Sequence, residues 1–408
     1  MANFEWINND LLVGLLTEQH GTSFKRLVSY EVNFATKKGD NYASEMYRVS
    51  LHYDIGVSVK KRIILKVMPS GELQQQVMQE NNIFPREIVI YAQIIPKIYQ
   101  HLRSFGDGSV ISPLCLSTAT TPKQMLVFED ACEQGFQMID RRYGLDLDHA
   151  RCVIVKLAKL HACSRIVYEE NPAQFDLMME GCISDDPKKQ TFLPYYRRCV
   201  RQVMRLVAEW NKDGRWDQIQ RKLGKLHDKI IPYGCDVYRR EDRCFNVLNH
   251  NDIWLNNMMF SYGEGTGVKD VLLLDYQLAF FGSPGVDLNF FLYGSLQPEV
   301  RTAHLPDLVQ LYHTTLRSTL EQLYYTGTIP SLPDIHVEII RKGFHRVNAV
   351  LQQMPIAMME RSEDANMDLL LGEGERSEAC RRDLFDNPRY VSILPALLQE
   401  FDLSGYLD

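Results

Sequence analysis

Val247-Leu248-Asn249-His250-Asn251-Asp252-Ile253-Trp254-Leu255-Asn256-Asn257-Met258-Met259-Phe260 runs from a short apolar stretch, through a polar loop, into a second apolar stretch. A turn, Tyr262-Gly263-Glu264-Gly265-Thr266-Gly267, then leads to Val271-Leu272-Leu273-Leu274-Asp275-Tyr276-Gln277. Two apolar runs around a glycine-containing turn form the pattern of a β-hairpin. A hairpin returns the end of its second strand to the loop before its first, so Asp252, Asn257 and Asp275 are predicted to converge. Phosphoryl transfer needs such a set. One carboxylate accepts the proton of a hydroxyl, and a second carboxylate with an amide oxygen binds Mg²⁺, a hard ion that takes oxygen ligands. The glycines at 263, 265 and 267 follow a strand but open no helix, so they do not meet the dinucleotide-binding fingerprint. The bland alternative makes Asp252 and Asn257 loop caps and Asp275 a surface turn residue; residues upstream weigh against it.

Ile63-Ile64-Leu65-Lys66-Val67 sets a lysine inside an apolar strand, where charge is costly unless paired. Glu87, on a helix predicted from about Pro85 to Arg103, is the natural partner, with Pro96 kinking or splitting that helix. A lysine held by a glutamate reaches the α- and β-phosphates of a nucleotide. The alternative is an edge-strand lysine extending to solvent beside a solvated Glu87. Lys37–Ser44 is a polar turn containing Gly39, Asn41 and Ser44; its backbone could lie over phosphates, though most turns with a single glycine are plain hairpins. Met125-Leu126-Val127-Phe128 reads as a buried strand. The backbone of Glu129-Asp130-Ala131 after it could hydrogen-bond adenine, which makes Glu129 and Ala131 candidate nucleotide contacts, although any linker between lobes looks the same.

Further strands are expected within Thr22–Thr36 and at Tyr47–Leu51 and Arg62–Val67. From about Leu147 the periodicity becomes helical, with Asp148 as candidate N-cap and Ala150, Val153, Ile154, Leu157, Ala158 and His161 on one face. Helices are expected at Tyr195–Trp210, Gln218–Ile231, Leu305–Tyr325, Ile335–Met358 and Val391–Phe401, and the acidic Glu363–Glu378 reads as a mobile loop. The predicted fold class is α+β, a protein-kinase-like two-lobed fold. A β-rich nucleotide-binding lobe spans 1–130. A larger helical lobe spans 131–408 and carries the loop 248–257 and Asp275.

With 408 residues, 45% of them hydrophobic, the chain exceeds the usual single-domain range. A net charge of −7 and a pI near 5.9 disfavour nucleic acid and anionic membranes as partners. No basic stretch leads into an apolar run at the start, and no run of ~18 apolar residues occurs. Nine scattered cysteines without a Cys-x-x-Cys pair fit reduced thiols, and a cytoplasmic location is expected. His161 and Cys163, two apart on a helix, make a poor metal pair. Asp287 follows Asp275 within a dozen residues and no Ala-Pro-Glu occurs, so a protein-kinase activation segment does not fit. The expected partner is a small-molecule hydroxyl substrate, met by a monomer or weak dimer. Phe192, Tyr195, Tyr196 and Trp210 suit a ring-bearing acceptor, and equally an ordinary core.

On His250–Asn257, Leu274-Asp275-Tyr276-Gln277 and Leu126-Val127-Phe128-Glu129-Asp130, the chain resembles the ecdysteroid-kinase-like (CHK kinase-like) family of insects, relatives of choline and aminoglycoside kinases. Supporting stretches are Gly39–Ser44, Phe84–Lys97 and Gly282–Asp287. The resemblance implies an ATP- and Mg²⁺-dependent kinase of a small organic acceptor, an ecdysteroid or a xenobiotic. By the same resemblance Asp252 is the general base, Asn257 and Asp275 bind Mg²⁺, Lys66 steadied by Glu87 binds phosphates, and His250 and Asp287 brace the loop. Two positions depart from the family pattern, Asn251 where glycine is usual and Tyr276 where phenylalanine is usual. The competing expectation is a catalytically weak or inactive kinase-like binding protein.

Overall fold

The computed structural model describes residues 4–35, 44–69, 71–189, 191–265, 267–360 and 367–408. Strands β1 (Arg26–Phe34), β2 (Glu45–Asp54), β3 (Ser58–Val67), β4 (Cys115–Ala119) and β5 (Met125–Glu129) form an antiparallel sheet in the order β1-β2-β3-β5-β4. Side chains alternate across a strand, and here the two faces have different duties. Tyr47, Val49, Leu51 and Tyr53 of β2, Ile63, Leu65 and Val67 of β3, and Met125 and Val127 of β5 share one core. The helix Asn9–His20 closes that core with Leu12 and Leu16. Sequence reasoning missed this helix. Its start is nonetheless written in Asn8, whose side chain accepts from the Leu11 N–H at 3.0 Å.

The opposite face carries Ile64, Lys66, Leu126 and Phe128, with Lys66 paired to Leu126 and Ile64 to Phe128 in register. Period two thus fixes which way Lys66 points. Against that face lies a helical stretch, Ile83–Val89 and Ile95–Ser104, joined through a π turn at Ile90–Ile94. Pro96 therefore does not split the helix. The wide turn before it takes up a ring that would collide with the carbonyl four residues earlier in a regular helix.

Leu147–Glu170 packs along Pro298–Gln322 in the main core. Its N-cap is Asp146, whose carboxylate accepts from the His149 N–H at 3.0 Å; Asp148, the expected cap, lies already inside the first turn. The helices expected at Tyr195, Gln218, Leu305 and Val391 occur as Leu193–Trp210, Asp217–Val237, Pro298–Gln322 and Pro388–Leu403. Ile335–Met358 is not one helix. It divides into Leu332–Arg341 and Phe344–Asn348, then a π turn Ala349–Gln353 and Met354–Ala357. The break falls at Lys342-Gly343, where a Cβ on Gly343 would sit 1.9 Å from the Tyr406 ring. Within the acidic stretch expected to be a loop, Met367–Leu371 and Glu375–Phe385 are helical, separated at Gly372–Gly374. Among the described residues no helix is long and apolar enough to cross a membrane.

Candidate active site

The predicted hairpin forms. β7 (Met258–Tyr262) pairs with β8 (Val268–Leu273), Met258 opposite Leu273, and the Leu274 N–H donates to the Asn257 carbonyl at 2.9 Å. A second pair, β6 (Val247–Asn249) with β9 (Phe280–Gly282), holds the other end of the loop. Asn249 Nδ2 donates to the carbonyls of Phe280 and Gly282. The loop between is pinned by Asp287, in the first turn of the helix Gly285–Gly294. Its carboxylate accepts from the N–H of His250 at 2.6 Å and of Asn251 at 2.7 Å. His161 Nε2 lies 3.1 Å from the same carboxylate, and its Nδ1 lies 2.7 Å from the Tyr312 hydroxyl. His161 is thus a support for Asp287, a role that its place on a buried helix face hinted at without revealing.

His250 Nε2 donates to the Leu274 carbonyl at 2.7 Å, tying the loop to the end of β8. Burial pushes its proton affinity down, which keeps the ring neutral with one N–H to give. Asn251 has φ +61°, the left-handed region that glycine occupies freely and asparagine tolerates. Its side chain fixes that geometry: Nδ2 donates to the Leu278 carbonyl at 2.8 Å and Oδ1 accepts from the Tyr238 hydroxyl at 3.1 Å. Asp275 is also left-handed, φ +67°, with its N–H on the Tyr91 hydroxyl at 3.3 Å.

Lys66 Nζ donates to Glu87 at 2.7 Å and to Asp275 Oδ1 at 2.6 Å, with Lys66 only 4% exposed and Glu87 fully buried. Burial alone would lower the lysine's proton affinity; the two carboxylates outweigh it and the net shift is upward. Burial raises Glu87 to about 7 against the pull of Lys66. Asn257 Nδ2 donates to Asp252 Oδ2 at 2.8 Å and to the Asp252 carbonyl at 2.9 Å. Asp252 is pushed up to about 7, first by burial and then by the nearby Asp275 carboxylate, with Asn257, Gln277 and Lys66 partly offsetting.

Lys66, Glu87, Asp252, Asn257 and Asp275 all border one cavity of about 1010 Å³. Glu129 and Ala131 line it at the end of β5, and Met46 and Arg48 line it from β2. Ser44 is half-buried just ahead of β2 and is not among the lining residues; Asn41 and Gly39 lie outside the described residues. Phe192, Tyr195 and Tyr196 face the cavity, whereas Trp210 packs on Trp216 away from it. Tyr91, Tyr238 and Gln277 were not singled out as site residues, although Gln277 closes the quoted Asp275 motif. The donor set fits a hard cation. Both Asn257 amide bonds run from nitrogen to Asp252, which leaves the amide oxygen as the available end. Lys66 already sets a positive charge on Asp275, between carboxylates that repel one another.

Comparison with family models gives a match to the ecdysteroid kinase-like family over residues 38–325, more than half of the chain. The chain belongs to the ecdysteroid kinase-like family. The matched span takes in β2, β3, the Glu87 helix, both hairpin arms and Asp287. A search of curated proteins finds no match. Membership supports a kinase-like phosphotransferase in general terms.

Proposed function

We propose that this protein transfers the γ-phosphoryl group of ATP, with Mg²⁺, to a hydroxyl of a small organic acceptor. The observation that carries this is Lys66, buried and bonded at once to Glu87 and Asp275 in the wall of the cavity that also contains Asp252. In this reading the sheet-rich residues 1–130 form the nucleotide lobe of a two-lobed kinase-like fold, and 131–408 form the lobe that presents acceptor and catalytic loop. Lys66 binds phosphate oxygens, and Glu129 and Ala131 meet adenine through their backbone. Asp275 and the Asn257 amide oxygen would hold Mg²⁺, which supplies charge neutralisation on the phosphates.

Asp252 orients the acceptor hydroxyl and takes its proton as the new O–P bond forms and the bond to the departing ADP oxygen breaks. A carboxylate raised toward neutrality is a competent base near pH 7. Asn257 holds that carboxylate in place, and His250 and Asp287 hold the loop. Nine free thiols support a reducing, cytoplasmic setting. A small acceptor rather than a peptide is supported by the short stretch between Asp275 and Asp287, too few residues for a peptide-docking segment, and by the lack of an Ala-Pro-Glu.

The test is incubation with Mg-ATP labelled at the γ-phosphate and pooled extracts of small metabolites. Label is expected in an organic phosphate ester with the wild type and not with Asp252→Ala, which still binds ATP. ATP binding with no ester from any extract would favour an inactive binding protein instead.

A further inference from the structure

The sheet face above the cavity carries, besides Lys66, a second cation to which no role has been given. Arg48 of β2, Ile64 of β3 and Phe128 of β5 stand opposite one another in register. Residues directly opposite on antiparallel strands project from the same face, and all three line the cavity. Lys66 occupies the next row, two residues further along β3, so the row of Arg48 lies about 7 Å from it. On the far side of that row comes Glu129, paired with Ile63, and the segment that continues to Ala131. Arg48 is also turned toward that segment. Its Nε donates to Asp130 Oδ2 at 2.8 Å. Asp130 is only 2% exposed, and its other oxygen accepts from the Cys132 N–H at 3.1 Å. Arg62 Nε lies 3.3 Å from Asp130 Oδ2 as well, so the carboxylate does not rely on Arg48 alone for a cation. The remaining guanidinium nitrogens of Arg48 meet, among the described residues, only the Cys132 sulfur at 3.9 Å. The side chain is 31% exposed, so this group, unlike Lys66, keeps open surface beside the cavity.

We propose that Arg48 is a base-stacking residue, its guanidinium plane oriented by Asp130 against the purine ring of the nucleotide. This rests on the kinase reading and deepens it. Three features of the place select a flat, electron-rich ring. A guanidinium is planar and weakly hydrated, and it attracts the face of an aromatic system. Anchoring at one edge by a buried carboxylate fixes the plane before the ligand arrives, so little side-chain entropy is lost on stacking. The surroundings are otherwise apolar: Ile64 and Phe128 share its row, and Met259 and Leu274, half-buried on the hairpin, line the same cavity and pack against Ala131. A phosphate group would be drawn to Lys66 instead, since the charge of Arg48 is already met by Asp130. An aliphatic group would gain from the apolar side chains and nothing from the plane. Lysine at this position would keep a cation for Asp130 and lose the stacking surface, so the choice of arginine is what the proposal turns on.

The test uses the full chain and calorimetry with three probes: Mg-ATP, Mg-tripolyphosphate, which has no base, and adenosine, which has no phosphate. Transfer from Mg-ATP by the wild type is measured in parallel. Arg48→Met and Arg48→Lys are each expected to weaken Mg-ATP and adenosine about tenfold, the worth of one desolvated cation–π contact. Both should bind Mg-tripolyphosphate as the wild type does, which also reports that the site has folded. Because Arg48→Lys keeps a cation beside Asp130, its result does not hinge on the loss of the ion pair. The proposal is overturned if Arg48→Lys binds Mg-ATP and adenosine like the wild type, if it weakens Mg-tripolyphosphate as much as Mg-ATP, or if the wild type binds no adenosine. Adenosine binding governed by Arg48, with no transfer from Mg-ATP to any acceptor, would leave the stacking site standing and remove the kinase reading. Transfer from Mg-ATP, with an ATP affinity indifferent to both substitutions, would do the reverse.

Discussion

At the scale of single residues, the site holds groups that the fold by itself would reject. Tyr276 is the simplest. It is fully buried, packed on Tyr91 and His250, and its hydroxyl has no partner among the described residues. Tyr276→Phe should therefore raise stability by about 1 kcal/mol, seen as a higher Tm, with transfer unchanged. Lys66 behaves oppositely. Lys66→Met leaves Glu87 buried without its cation, a loss of about 3–5 kcal/mol. Adding Glu87→Leu should recover much of that Tm while phosphoryl transfer stays lost, which separates packing from chemistry. Asp252 gives a pH signature. Its folded pKa, about 7, lies above its ordinary 3.8, so the native state favours the protonated form. Below 3.8 it costs nothing; the penalty grows as pH rises through this window and is complete above about 7. Asp252→Asn should thus stabilise the metal-free protein at about pH 8, by about a few kcal/mol at most and seen as a higher Tm, and the gain should shrink toward about pH 4. A gain larger at low pH would refute this account of Asp252.

Among elements, legibility in the sequence followed how local the cause was. The hairpin was readable because its strands and turn are contiguous, and so was Lys66, because an apolar run with one charge is a local anomaly. The left-handed backbone at Asn251 was hinted at only through the resemblance, which puts glycine there. Pro96 and Pro355 mark an irregularity in the sequence, but not that it takes the form of the π turns at Ile90–Ile94 and Ala349–Gln353. The helix Asn9–His20 exists to cover a sheet face, and only the folded sheet reveals that face. The helix Gly285–Gly294 depends on a long-range approach as well. A Cβ on Gly285 would come within 2.3 Å of the Glu338 carbonyl oxygen. Gly285→Ala should force that helix outward and move Asp287 with it, lowering Tm by an amount equivalent to about 1–3 kcal/mol and lowering transfer in step. Normal transfer in a destabilised variant would show that Asp287 does not position the loop.

For the whole molecule, the cavity is the property no segment contains. Its wall draws on residues from Ala35 to Leu371. Lys66, Asp252 and Asp275 were foreseeable as neighbours because each sits in a recognisable motif; Phe290 and Ile356 were not, because nothing beside them in the chain marks them as part of this wall. Ligand linkage is the corresponding whole-molecule prediction. Mg-ATP at a hundredfold excess over its Kd should stabilise the protein by about 2.7 kcal/mol, and ATP with a chelator by much less. The central claim is that Asp275, with Asn257, makes a metal-dependent phosphate site beside Lys66. ATP affinity with and without Mg²⁺, measured by calorimetry for the wild type and Asp275→Ala, tests it most directly. The account predicts that Mg²⁺ tightens ATP binding at least about tenfold in the wild type and has little effect in the variant. Equal Mg²⁺ dependence in both proteins would contradict it.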